Sequence, residues 1–169
     1  MTVTDDGGFD TAAASIPVVV YDPSGGFVTG GGWVMSPVGA YPADPDLTGK
    51  ASFGFVAKYA KAATQPSGNT ELNFQTAGMN FKATSYDWLV VAGAKAQYKG
   101  HGTVYGVDGY QFMLTGVDGQ LAGGGGADKF RIKIWDTATD TVIYDNQLGG
   151  LDSAPLNTAL PGGSIVIHK

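Results

Sequence analysis

An all-β domain, an antiparallel β-sandwich or jelly-roll-like fold, is predicted by three observations on this 169-residue sequence. Apolar and polar residues alternate in about a dozen short stretches, as half-buried strands require, because successive side chains leave opposite faces of a sheet. Gly-Gly, Asp-Gly and Pro turns separate those stretches. Of the 15 acidic residues only Glu71 is a glutamate, and Asp serves turns where Glu serves helices.

The elements follow in order. Residues 2–11 and 16–22 read as strand, turn, strand. Phe27–Met35 is a strand interrupted by Gly30, Gly31 and Gly32, a pattern that marks a bulge or the close approach of another backbone. Residues 36–49, with Pro37, Pro42, Asp44, Pro45 and Asp46, form a loop. Ser52–Tyr59 places Phe53, Phe55 and Tyr59 on one face, and the stretch from Val56 to Thr64 is a strand running into a loop rather than a helix. Thr70–Gln75 alternates Leu72 and Phe74 with polar residues, and Met79–Thr84 does so with Met79 and Phe81.

Trp88–Val91 is apolar on both faces, the pattern of a central strand, so Trp88 is expected in the core. Ala94–Lys99, Gly102–Tyr105 and Tyr110–Thr115 follow, with turns expected at Asp108-Gly109 and Asp118-Gly119. Lys129–Trp135 is the cleanest alternation: Phe130, Ile132 and Ile134 on one face, Lys129, Arg131 and Lys133 on the other. A hairpin loop at Asp136–Asp140 leads to Thr141–Tyr144, and Ser164–His168 is the last strand. The expected core is Phe53, Phe55, Phe74, Phe81, Trp88 and Phe112.

Composition excludes several functions. A net charge of −5 and a single arginine, Arg131, leave no stripe to neutralise phosphates, so nucleic acid is not an expected partner. No apolar run reaches the roughly 18–20 residues of a membrane-spanning helix, and no membrane insertion is expected. With no cysteine there is no disulfide frame and no thiolate chemistry. Residues 1–6 do not read as a signal peptide, which fits either a protein kept inside the cell or a piece of a longer exported chain.

Two resemblances narrow the choice. Val3-Thr4-Asp5-Asp6-Gly7-Gly8 with Asp10-Thr11 resembles the closing hairpin of PKD-type immunoglobulin-like domains, and Val18, Val19 and Val20 are then available to pair elsewhere. The segments 30–41, 49–56, 85–94, 128–136, 144–146 and 163–169 resemble a C-terminal "post-COAP-1"-type domain of modular bacterial secreted proteins, which follows such repeats. The resemblances imply two parts: residues 1–22 as the hairpin remnant of a PKD-like domain, and residues 23–169 as a β-sandwich module. They imply an exported, non-enzymatic terminal module at the bacterial cell surface or outside it, and supply no catalytic residues.

Chemistry is sparse. A hydrolytic triad would rest on His101 or His168, and no Gly-x-Ser-x-Gly elbow is present. Zinc lacks its His or Cys cluster, and the lone Glu71 does not mark a glycosidase pair. Gly123–Gly126 has no Gly-Lys-Ser/Thr ending and reads as a turn. Calcium is the one metal to expect, through Asp118, Asp128, Asp136, Asp140 and Asp145, which bracket two neighbouring strands; Asp5, Asp6 and Asp22, and Asp44 with Asp46, form smaller groups. For sugar binding, Trp135 beside Arg131 is the candidate platform, unless the following loop covers it. The expected function is therefore a non-catalytic structural or adhesive module, with a carbohydrate-binding module as the alternative. Its partners would be the preceding immunoglobulin-like repeats and a glycan or surface protein.

Overall fold

The computed structural model describes residues 26–169. The hairpin read over residues 1–22, with Asp5, Asp6 and Asp22, lies outside them. Among the described residues nine strands form one antiparallel sheet: β1 (Phe27–Ser36), β2 (Gly49–Tyr59), β3 (Pro66–Phe74), β4 (Met79–Ala92), β5 (Lys95–Val104), β6 (Val107–Val117), β7 (Lys129–Asp136), β8 (Val142–Asp145) and β9 (Gly162–His168). Their order in the sheet is β8-β7-β6-β5-β4-β3-β2-β1-β9. The connectivity is a meander except at the end, where the chain crosses from one edge to the other to lay β9 beside β1.

This single sheet folds over on itself into a sandwich-like body. Strands β2 and β7 are five places apart in the order, roughly 24 Å in a flat sheet at the usual strand spacing. Yet the rings of Phe53 on β2 and Phe130 on β7 stack with centroids 3.9 Å apart and planes within 7°. Phe74 on β3 meets Tyr144 on β8 at 5.8 Å. Such contacts exist only if the inner face closes on itself, and the apolar area withdrawn from water is the driving force.

Inner-face glycines make room for these rings. Gly30 and Gly116 flank the Phe55 ring and Ile165, and a Cβ at Gly102 would collide with the ring of Phe81. The run Gly30–Gly32 meets the expectation of close approach, because Gly32 pairs with Gly163 of β9 and side chains there would strike the opposing backbone.

Adjacent predicted segments are fused in two places. Met79–Thr84 and Trp88–Val91 are both part of β4, and Ala94–Lys99 and Gly102–Tyr105 merge into β5, apart from Ala94 and Tyr105, which lie in the flanking turns. Register shifts between Ala83 and Ser85 and between Tyr86 and Trp88 let β4 continue through the apparent break. The second shift also moves Trp88 outward, beside Lys99, while Tyr86 and Leu89 point in. Trp88 is thus only half-buried and outside the core, whereas Phe53, Phe55, Phe74, Phe81 and Phe112 are buried in it. The turn expected at Asp108-Gly109 falls instead at Tyr105-Gly106, whose φ angles of 53° and 74° are both positive. Such a pair matches the right-handed twist of the flanking strands.

The core carries buried hydroxyls, each with a partner. Thr70 bridges the phenols of Tyr86 and Tyr98 at 3.0 and 2.9 Å, and Tyr144 donates to Ser36 at 3.2 Å. Burial pushes the phenols of Tyr86, Tyr98 and Tyr144 up, Tyr144 to about 12. In the unfolded chain each ionises at about 10. Below that pH both states are neutral; above it the unfolded chain loses protons that the folded protein keeps, so stability falls as pH rises. Tyr144 alone should remove about 2–3 kcal/mol between roughly pH 10 and 12. Melting temperature followed with tyrosinate absorbance should drop steeply over that window. A flat profile with early tyrosine ionisation would contradict the burial.

Candidate functional site

Strand alternation turns Arg131, Lys133 and Trp135 of β7 to the outer face. Arg131 is nevertheless only 3% exposed, because the segment between β8 and β9 folds back over this face. Its guanidinium grips Asp145 in two bonds, Nε to Oδ1 at 3.0 Å and an Nη to Oδ2 at 2.8 Å. It also donates to the carbonyls of Leu151 and Gly150 at 2.7 and 2.9 Å. The hydrogen bond to Asp145 raises the Arg131 pKa, against the opposing effect of desolvation.

Side chains complete the clamp. The Asn146 amide takes the N–H of Ile132 and donates to the carbonyl of Phe130, continuing the β7 ladder past the end of β8. Gln97 donates to Thr115 and to the carbonyl of Asp152, and Lys133 pairs with the Asp152 carboxylate at 3.2 Å. Arg131 is therefore a clamp under a loop, with its donors turned to the protein and not to a sugar.

Trp135 stands half-buried beside this loop. Its indole N–H donates to Gln111 at 3.1 Å, and the ammonium groups of Lys99 and Lys133 lie 5.5 and 5.4 Å from its ring centroid. Of the two readings left open, a covered ring fits better than a free stacking platform, and the cover consists of lysines rather than a loop. Trp33, also half-buried, carries Lys50 over its ring in the same way.

The five aspartates proposed for calcium are not brought together. Asp118 accepts N–H groups from Gln120 and Ile167, and Asp128 accepts them from Gly119 and Ile165. Asp145 holds Arg131 and the N–H of Gln147. Asp136 closes its own hairpin loop, accepting the N–H groups of Ala138 and Thr139, and those bonds lower its pKa. Asp140 is exposed in the left-handed region at φ 55°. Among the described residues no three acidic or imidazole side chains gather where they would hold a metal.

The histidines lie apart. His101 is on the outer face, 3.4 Å from Asp87. His168 stacks on Phe27 with centroids 4.0 Å apart. Two concavities formed by the described residues bear on function. A polar depression of about 340 Å³ lies on the outer face of β2–β4, around Gly54, Asn73, Asn80 and the Glu71–Lys82 pair. An apolar pocket of about 350 Å³ lies at the end of the sandwich that carries the β1–β2, β5–β6 and β7–β8 connections. Tyr41, Pro42, Val104, Tyr105, Tyr110 and Ile143 are among its walls.

Sequence reasoning missed this second pocket, since Tyr41, Tyr105 and Tyr110 are far apart in the chain. The one local signal was a tyrosine before glycine at a hairpin tip. No protein-family model, no curated protein and no solved structure matches the chain.

Replacing Arg131 by Met leaves Asp145 buried without its cation, which should cost about 3–5 kcal/mol. The Arg131→Met/Asp145→Leu double variant should recover a substantial part of that loss. Denaturant unfolding measures both, and limited proteolysis should cut first within residues 146–161 of the single variant. A single-variant loss below about 1 kcal/mol, the usual worth of an exposed pair, would show that the clamp is not closed.

Proposed function

We propose that this chain is a non-catalytic structural or adhesive module of an exported or cell-surface bacterial protein, carried by immunoglobulin-like repeats. The observation that carries the reading is the pairing of the first described strand with the last. Phe27 of β1 and His168 of β9 are paired antiparallel neighbours, so segments attached before the one and after the other leave from the same end. A module connected in this way is better suited to capping a stalk or presenting a surface than to lengthening the stalk in line.

The fate of its charged groups supports the same reading. Arg131, Asp118, Asp128 and Asp145 are engaged in holding backbone and loop, which makes a rigid scaffold and leaves the loops at its ends to do the binding. A carbohydrate-binding module is the second reading, favoured by the tyrosine-lined pocket rather than by Trp135.

Co-sedimentation with insoluble cell-wall peptidoglycan, chitin, cellulose and collagen tests the adhesive role. The protein should leave the supernatant with at least one polymer and release no soluble sugar or peptide from any. Progressive release of fragments would contradict a non-catalytic module, and failure to sediment with any polymer would remove the adhesive role.

A further inference from the structure

The hairpin between β5 and β6 turns through Tyr105, a bulky residue held at φ 53°. That conformation costs an L-residue with a Cβ about 1–2 kcal/mol, and Asn or Gly is the usual choice in such a turn. The Tyr105 ring is half exposed, and its hydroxyl meets that of Tyr41 at 3.1 Å at the pocket mouth. Turn geometry does not explain a tyrosine here, and strain of this kind is characteristic of sites where a side chain is needed for binding.

The pocket itself limits what can enter. At about 350 Å³ it lies near the lower end of the range for small-molecule sites, too small for a helix or an extended peptide. Its walls are tyrosine rings, Pro42, Ala43, Val104, Val142 and Ile143, and its polar side-chain groups are the hydroxyls of the tyrosines and of Thr141. No lysine, arginine, histidine, aspartate or glutamate lines it, so neither an anion nor a cation would find a charge partner. The bordering turns contribute exposed Asp108 and Asp140, which disfavour an anion further. A ligand that is uncharged, compact, apolar on its faces and ringed with hydroxyls matches these walls. Tyrosine presents the complementary surface, an apolar ring with a polar tip.

We propose that this pocket binds a single uncharged pyranose ring, stacked on Tyr105 and hydrogen-bonded through the hydroxyls of Tyr41, Tyr105 and Thr141. The proposal rests on the carbohydrate-binding reading and assigns it a site away from Trp135. Its test uses the protein as it is and Tyr105→Asn. Asn is favoured in this turn, so the variant should melt at the same temperature or a higher one.

Amide chemical shifts would be followed while adding methyl glucoside, methyl galactoside, methyl mannoside and methyl N-acetylglucosaminide at millimolar concentrations. At least one should shift residues 41–43, 104–110 and 141–143 saturably, with affinity at least about tenfold weaker in Tyr105→Asn. Binding that maps elsewhere, or that Tyr105→Asn leaves unchanged, would overturn the site while leaving the carbohydrate reading standing. Absence of any saturable shift with all four probes would overturn the site, and with no sedimentation on chitin or cellulose it would overturn the carbohydrate reading as well.

Discussion

A sheet that folds over on itself without closing its hydrogen-bond ladder leaves two edges, each with a row of unpaired N–H and C=O groups. In this protein both edges are capped locally, and the enclosure of the aromatic core depends on it. Along β9 alternate N–H groups point away from β1. Those of Ile165 and Ile167 are taken by the carboxylates of Asp128 and Asp118, at 2.7 and 3.1 Å. These aspartates sit at the two ends of the β6–β7 connection and fasten β9 across the mouth of the fold, where Ile165 packs toward Gly116 and the Phe55 ring. At the other edge the N–H of Asp145 donates to the carbonyl of Ala40 in the β1–β2 loop, and Tyr144 reaches Ser36.

Between the edges, the stretch from β8 to β9 does two jobs. Thr158–Leu160 hydrogen-bonds along the start of β7, at Phe130 and Asp128, and the residues before it lie on the outer face above Arg131. A buried ion pair is a poor source of net stability compared with apolar packing. Its value here is positional, because a planar guanidinium satisfies a carboxylate and two loop carbonyls in one fixed geometry. The only arginine of the chain thus fixes how a loop lies over the outer face of β7.

Strand identity was legible wherever alternation was unbroken, as in Lys129–Trp135. It was misread where a bulge changes the phase: a register shift after Tyr86 turned Trp88 from an expected core residue into an outward one. Asp108-Gly109 was the stronger local turn signal, yet the turn lies at Tyr105-Gly106, where register with β4 and β7 decides. The abundance of aspartate was visible, but not its use. A carboxylate that accepts backbone N–H groups has the same sequence signature as one that binds an ion, and only the fold places Asp118 and Asp128 against β9. Trp135 and Arg131 were correctly placed on the outer face, but what covers them is set by residues 146–161, a stretch with no periodicity to read. The tyrosine pocket was illegible because three connections, distant in sequence, converge to make it.

The capped β9 edge keeps the two walls of the sandwich together. Native-state hydrogen exchange at Ile165 and Ile167 tests this most directly, in the protein and in the Asp118→Ala/Asp128→Ala variant. In the protein both amides should exchange only by global unfolding. In the variant they should open locally, and loss of the charged acceptors should lower stability by about 1.5–3 kcal/mol per bond, with a tendency to self-associate through the freed edge. Rapid exchange of both amides in the unaltered protein, at the rate of exposed loop residues, would contradict the account.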